Sequence, residues 1–149
     1  MAGEDSPRIV VGVDGSEPSK EALRWAARQA ELVGGSLDAV VAWEYPPSYY
    51  GWVPEIDVAK FHEQSDATFA GTLKEVLGSE PTVEVRRHVR EGDPATVLLD
   101  VANGAELLVV GNRGHGAFIG ALLGSVSFRC VHHATCPVVV VHAGGDRDA

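Results

Sequence analysis

A glycine-rich segment in the last third of the chain carries the residues best suited to chemistry. It reads Gly111-Asn-Arg-Gly114 and ends, after nine further residues, in Gly124-Ser125-Val126-Ser127. Glycine lets the backbone approach a ligand closely or adopt a positive φ, and the amides at a helix start donate to anions. The hydroxyls of Ser125 and Ser127 add further donors. These groups together are typical of a phosphate-binding site.

The same residues also have a purely structural interpretation. Gly111 and Gly114 would then form a left-handed turn, and Ser125 would merely cap a helix. Residue types alone do not decide between the two, but the position of the segment, directly after a predicted strand, favours a ligand site. Arg113 either pairs with a phosphate or is simply solvated, and its place in this segment favours the first.

Asp14 closes the first predicted strand and is followed by Gly15 and Ser16. Asp-Gly-Ser is a common turn in which the carboxylate accepts hydrogen bonds from local amides. At the carboxyl end of a central strand, the same carboxylate can accept from a ribose hydroxyl or an exocyclic amine. Both interpretations stay open. We predict no metal site built by the chain itself, although a divalent ion carried by a nucleotide would lie near Asp14.

Several enzyme signatures are absent from the sequence. A Walker-type phosphate loop places a lysine directly before its Ser or Thr, whereas Gly124 precedes Ser125. There is no GxSxG elbow, no GxGxxG after the first strand, and no HExxH spacing around His62 and Glu63. His115 lies in the glycine-rich segment without a partner to orient its ring. These absences argue against fast phosphoryl transfer or hydrolysis at this segment, so we expect a site that binds a ligand without fast turnover.

Alternating strands and helices would position these residues. Short runs of Val, Ile and Leu predict buried strands, and a stricter apolar and polar alternation over Val83–Val89 predicts a strand with one wetter face or an edge position. The buried strands span Ile9–Val13, Leu37–Trp43, Leu107–Val110 and Val138–Val141. Apolar residues at helical spacing predict helices over 22–33 and 61–77, and one from Pro94, capped by Asp93, to Asn103-Gly104. A last helix runs from about Ser125 to His133, and the long loop Glu44–Pro54 is the least predictable part.

This order of elements predicts an α/β fold, an open doubly wound sheet of five parallel strands in the order 3-2-1-4-5 with four helices. Ligands of such sheets bind beyond the carboxyl ends of the strands, which here means just after Val13 and Val110. With 149 residues, we expect a single domain over 1–149, ordered over about 7–143.

The net charge of −9 and the absence of a basic run argue against nucleic acid or anionic lipid as a partner. No apolar stretch approaches the roughly 20 residues that span a bilayer, and the acidic start lacks a secretory signal. Cys130 and Cys136 have no CxxC spacing and are expected to be reduced packing residues. We therefore expect a cytoplasmic protein with no membrane association.

From Ile9-Val-Val-Gly-Val-Asp-Gly-Ser16 to Cys136-Pro-Val-Val-Val-Val141, the chain resembles the universal stress protein family. The resemblance implies that Gly111, Gly114, Gly124 and Ser125, the G-x2-G-x9-G-S motif of its ATP-binding members, hold ribose and phosphates. It also implies roles for residues that close the first two strands and flank the motif. These residues are Gly12, Val13 and Asp14 at the nucleoside end, Val41 and Ala42 beside the adenine, and Val110, Arg113, Val126 and Ser127 around the nucleotide.

The resemblance further implies ATP as the cofactor, with or without Mg²⁺, and a homodimer formed through the last strand, Val138–Val141. Such pairing would cover an apolar edge. The leading hypothesis is a stress-response module whose nucleotide-bound state alters dimerisation or partner contacts. Two alternatives stay open: a slow ATPase or phosphoryl- or adenylyl-transfer enzyme, and a partner-binding protein with structural nucleotide. The sequence does not distinguish ATP from other adenine nucleotides such as cyclic AMP.

Overall fold

The computed structural model describes residues 6–44, 58–113 and 123–143. Five strands and four helices alternate within these ranges. The strands are β1 (Arg8–Gly12), β2 (Ser36–Trp43), β3 (Val85–Glu91), β4 (Leu107–Gly111) and β5 (Val138–Val141), and the helices are α1 (Glu17–Val33), α2 (Val58–Leu77), α3 (Pro94–Val101) and α4 (Ser125–His133). No helix in the described ranges is long and apolar enough to cross a membrane.

All strand pairs are parallel, and the sheet order is β3-β2-β1-β4-β5. The predicted fold class and strand order are therefore confirmed. The order reverses between β2 and β4, which lie on either side of β1. This reversal opens the carboxyl end of the sheet at β1, where a doubly wound sheet receives its ligand.

Successive side chains of a strand point to opposite faces of the sheet. Because apolar side chains occupy both faces here, helices cover both. Ile9, Val11 and Leu37 belong to one buried cluster with α1 and α2, and Val10 and Leu108 belong to a second cluster with α3 and α4. The buried strand side chains therefore pack against one helical layer or the other. The register of the sheet therefore fixes which residues reach the carboxyl end.

Side-chain caps set the starts of α1 and α3, and the Asp93 cap is the one predicted from the sequence. The Ser16 side chain caps α1 by accepting from Ser19 N, and Gly34 ends it in the left-handed conformation at φ 68°. Asp93 caps α3 by accepting from Thr96 N at 3.1 Å, and Pro94 occupies the first turn as predicted. These caps hold the starts of α1 and α3 beside the carboxyl end of the sheet.

Several element boundaries differ from the sequence prediction, and α1 begins at Glu17, five residues before the predicted start at residue 22. Two further differences have a structural reason. The edge strand runs over Val85–Glu91, two residues later than predicted. Its pairing with β2 begins where Leu37 N donates to Glu84 O and Leu37 lies opposite Val85. Helix α3 ends at Val101, three residues before Gly104, whose φ of 82° takes the chain towards β4. Both differences lie at element ends, where local pattern constrains the chain least.

A buried charge cluster lies near the amino end of the sheet. The carboxylate of Asp38 in β2 is 2% exposed and lies 2.8 Å from Arg8 Nη1, 2.8 Å from Arg86 Nε and 3.2 Å from His88 Nε2. Burial alone would raise the pKa of Asp38, but the guanidinium groups of Arg8 and Arg86, together with the adjacent His88 imidazole, lower it. Arg8 also donates to Val101 O at 3.1 Å, so the cluster connects α3 to three strands.

Candidate functional site

The carboxyl end of β1 turns sharply into α1. Val13 N donates to Val40 O at 2.8 Å, and Asp14 N donates to Ser19 Oγ at 3.2 Å. Gly15 then takes a φ of 83°, a conformation that side chains rarely adopt. The turn therefore holds Asp14 at a fixed place beyond the strand end.

The carboxylate of Asp14 accepts hydrogen bonds from Ser16 N at 2.9 Å and from the Ser16 hydroxyl, both through Oδ1. These are the local turn bonds that the Asp-Gly-Ser sequence predicts. The side chain is nevertheless exposed, and the residue also borders a cavity. The turn and the ligand-site interpretations of Asp14 are therefore compatible, because the turn fixes a carboxylate that faces accessible space.

A cavity of about 240 Å³ opens beside this turn. Its described walls come from the β1 end, the β2 end and α2: Val13, Asp14, Gly15, Val41, Ala42, Trp43, Gln64, Ser65, Thr68, Phe69 and Thr72. Pockets for whole drug-sized ligands measure roughly 300 to 1,000 Å³, so this space suits a base or a nucleoside fragment. The remainder of any nucleotide would have to extend beyond it.

Four of the residues predicted for the nucleoside end thus line one cavity, namely Val13, Asp14, Val41 and Ala42. Gly12 has another environment, because a Cβ built on it would lie 2.9 Å from Leu98 Cδ1. Gly12 therefore allows α3 to pack closely against β1.

Gly111 ends β4 in extended backbone, so the left-handed turn considered for this residue is wrong. A Cβ at Gly111 would lie 2.7 Å from the carbonyl carbon of Pro18 and 2.8 Å from its Cβ. The start of α1 therefore crosses β4 so closely that only glycine fits. Gly114, the next glycine of the motif, lies outside the described residues, as does His115.

The backbone of Asn112 connects the end of β4 to the start of α4. Its carbonyl oxygen accepts from Gly124 N at 2.7 Å and from Ser127 Oγ at 3.0 Å, and its N–H donates to Val141 O at 2.9 Å. The buried Ser127 hydroxyl also lies 3.0 Å from Gly124 O, so its proton serves these internal contacts. Ser127 therefore holds the two ends of the glycine-rich segment together.

Among the described residues, the start of α4 has no side-chain cap. Gly124 occupies the N-cap position. Ser125 and Arg113 are exposed, whereas Val126 and Val110 pack in the second buried cluster. Uncapped amides in the first turn, with the positive end of the helix dipole, suit an anion.

An ion pair between Arg129 of α4 and Asp93 fixes α4 against α3, with Nη1 and Oδ2 2.5 Å apart. Burial alone would raise the pKa of Asp93, but hydrogen bonds from Thr96 and the Arg129 guanidinium lower it. Asp93 is therefore ionised near neutral pH, and it anchors the helix whose first turn follows Gly124.

Sequence reasoning missed two features of this region. Asn112 is 8% exposed, and its Oδ1 accepts no hydrogen bond from the described residues. The cavity wall from α2 was also missed, because only the apolar stripe of that helix was considered. Its signal was the polar spacing of Gln64, Thr68 and Thr72, which recurs at helical intervals.

In the part of the chain that the structure describes, no group of three or more His, Cys, Asp or Glu side chains could hold a metal ion. The predicted loop Glu44–Pro54 lies outside the described residues, apart from Glu44 itself.

Comparisons with known proteins give a consistent result. The sequence profile of the universal stress protein family matches residues 6–142. A universal stress protein of Mycolicibacterium smegmatis is 38% identical over 151 aligned residues, which cover 95% of this chain and 49% of that protein. The chain thus spans about half the length of the curated relatives it matches.

Solved structures agree on the fold. Universal stress protein UspA from Lactobacillus plantarum superposes with a TM-score of 0.75 at 21% identity, covering 93% of this chain and 99% of that one. A universal stress protein solved in complex with cAMP gives a TM-score of 0.70 at 25% identity, covering 93% and 98%. The profile match over nearly the whole chain, together with the sequence relatives, shows that the chain belongs to the universal stress protein family.

Proposed function

We propose that residues 7–143 form one adenine-nucleotide-binding domain that acts as a nucleotide-dependent regulatory module, with ATP as its ligand. The observation that carries the proposal is the cavity between the β1 end, the β2 end and α2. Four of its lining residues are those that the family resemblance assigns to the nucleoside. A relative of the same fold has been solved with cAMP, an adenine nucleotide.

The path of the nucleotide follows from the sheet order. β4 lies next to β1, so Gly111 and the start of α4 are at the same end of the sheet as Asp14. The nucleoside would occupy the cavity, and the phosphates would extend towards the amides after Gly124. Arg113, Gly114 and Ser125 would surround the phosphates, and a divalent ion bound to them would approach Asp14.

Isothermal titration calorimetry with ATP, with and without Mg²⁺, tests the proposal, and cyclic AMP serves as the competing ligand. We expect one ATP per chain. Gly124→Ala should abolish binding, because its φ of −72° accommodates alanine while the added methyl occupies room needed by the ligand. Gly114→Ala is expected to do the same.

Gly71→Ala is the matched control, because a Cβ at Gly71 has no heavy atom within 4 Å. It should bind ATP like the parent chain. Unchanged ATP affinity in both Gly114→Ala and Gly124→Ala would refute the assigned site. Release of ADP in excess of bound ATP would favour the slow ATPase or transfer enzyme over the regulatory module.

The proposal includes a homodimer formed through β5. Four consecutive valines, each half-buried, form this edge strand, which pairs only with β4 among the described strands. An open apolar edge of this kind favours pairing with an identical strand. Light scattering should find a dimer for the parent chain and a monomer for Val140→Lys. Leu32→Lys, at an exposed position of α1, should leave the dimer intact.

The two free thiols suit a reducing compartment, so we propose the cytoplasm as the location. Fractionation of cells that express the full-length protein tests this assignment.

A further inference from the structure

Helix α2 presents two different faces near the cavity. Phe69 and Leu73 are buried in the first core cluster, whereas Gln64, Ser65 and Thr68 bring polar groups to the cavity wall. Core packing does not require these polar groups, since Gln64 and Thr68 are exposed and Ser65 is half-buried. Their hydrogen-bonding groups are therefore able to serve a ligand in the cavity.

The hydrogen-bonding capacities of these side chains differ. The hydroxyl of Thr72 donates to Thr68 O at 3.2 Å, so its proton is used within the helix. Ser65 and Thr68 each offer a single hydroxyl. Gln64 is the one primary amide among the described lining residues, and it presents a donor and an acceptor side by side.

Adenine is the base that matches such an amide. Its exocyclic amine donates next to a ring nitrogen that accepts, and proteins read this pair with a bidentate Asn or Gln. Among the described lining residues the charged side chain is the Asp14 carboxylate, which is acceptor-only when ionised. A base whose edge presents two acceptors would therefore find no charged donor among the described residues that line the cavity.

We propose that α2 determines base specificity, with the Gln64 side-chain oxygen accepting a hydrogen bond from the exocyclic amine of bound adenine and its NH₂ donating to the adjacent ring nitrogen. This inference rests on the proposed nucleotide binding. It assigns α2 a role that the glycine motif cannot fill, because backbone amides around the phosphates do not distinguish one base from another. Gln64 is then a specificity-determining residue.

The test compares ATP with purine riboside 5′-triphosphate, which lacks only the exocyclic amine. Calorimetry on the full chain should show ATP binding about tenfold more tightly, the usual effect of one bidentate base contact. In Gln64→Leu, ATP affinity should fall about tenfold while affinity for the amine-free analogue changes much less. The ratio of the two affinities should therefore approach one.

Gln29→Leu, the same substitution on α1 away from the cavity, should keep the tenfold preference and shows that the effect is local. Thermal unfolding without nucleotide should be alike for both variants and the parent chain. If the parent chain prefers ATP and Gln64→Leu keeps the full preference, the role of α2 is refuted while the proposed function survives. If the parent chain binds neither triphosphate, both proposals are refuted.

Discussion

Two aspartates at opposite ends of the same sheet have contrasting environments. Asp38, near the amino end, is 2% exposed at its side chain and is surrounded by Arg8, Arg86 and His88. Asp14, beyond the carboxyl end, is exposed, accepts hydrogen bonds from Ser16 in its own turn, and borders a cavity. The first carboxylate connects strands and a helix, and the second faces a space large enough for a base. We infer that the amino end maintains stability and the carboxyl end binds ligand.

Asp38→Asn should give the largest effect on stability. The neutral amide leaves Arg8 and Arg86 without their counter-charge in a partly buried site, which should lower the free energy of unfolding by about 2–3 kcal/mol. The arginines are 29% and 45% exposed, so the loss is smaller than for a fully buried pair. Urea denaturation measures the loss, and ATP affinity should stay within twofold of the parent value.

Asp100→Asn is the matched control for this comparison. Asp100 pairs with Arg90, but its side chain is 71% exposed, so its removal should change stability by less than about 0.5 kcal/mol. Equal losses in the two variants would show that burial of Asp38 contributes nothing.

Gly111→Ala tests whether the carboxyl end also has a purely structural constraint. The new methyl would meet the backbone of Pro18, so α1 must shift, at a cost of about 2 kcal/mol. The reporter is again the urea midpoint, and Gly71→Ala, with open space around its Cβ, should be neutral or slightly stabilising. A fully stable Gly111→Ala would refute the close crossing of α1 over β4.

Asp14→Asn should weaken ATP binding and leave stability nearly unchanged, which is the reverse of the effect expected for Asp38→Asn. We expect ATP affinity to fall about tenfold, the loss of one charged hydrogen bond to the nucleoside, and stability to change by less than about 1 kcal/mol. Paired calorimetry and urea denaturation measure both quantities. A variant that loses stability but keeps its affinity would reverse the roles assigned to the two aspartates.

Lowering the pH should remove the contribution of Asp38 to the free energy of unfolding. Because the folded-state pKa of Asp38 is lowered, its stabilisation is complete above the unfolded-state value of about 3.9 and is lost as pH falls through the folded value. The stability difference between the parent chain and Asp38→Asn should therefore shrink below about pH 4. Urea midpoints between pH 5 and pH 3 measure it, and a constant difference would contradict the lowered pKa.

The smallest expected effect is on the reactivity of the two cysteine thiols, one in α4 and one shortly after it. Burial raises the pKa of the Cys130 thiol to about 11, and the residue is 0% exposed. Burial also raises the pKa of the half-buried Cys136. At pH 8 a thiol reagent should therefore label Cys136 slowly and Cys130 only after unfolding. Rapid labelling of both thiols in the native protein would mean that the α4 layer opens.

The sequence was sufficient for the fold because strong local signals coincided. Asp93 and Pro94 mark the start of α3, and short Val-rich runs mark the buried strands. The Asp38 cluster was not predictable, since its partners Arg8 and Arg86 are 30 and 48 residues away in sequence and meet only through strand register.

The candidate site was predictable in part for the same reason. Asp14 follows from the end of the first strand, Val41 comes from the family resemblance, and the structure brings both to one cavity. The close approach of Pro18 to Gly111 and the contribution of Gln64 depend on how α1 and α2 pack across the sheet. No local pattern encodes such helix placements.

Amide chemical-shift mapping during an ATP titration tests the central claim most directly, because it reports on both ends of the sheet in one experiment. We expect saturable changes in the amide chemical shifts of residues 13–15, 41–43, 64–72 and 124–127. The amides of Arg8, Asp38 and Arg86 should change little. Absence of saturable shifts, or shifts centred on the Asp38 cluster, would contradict it.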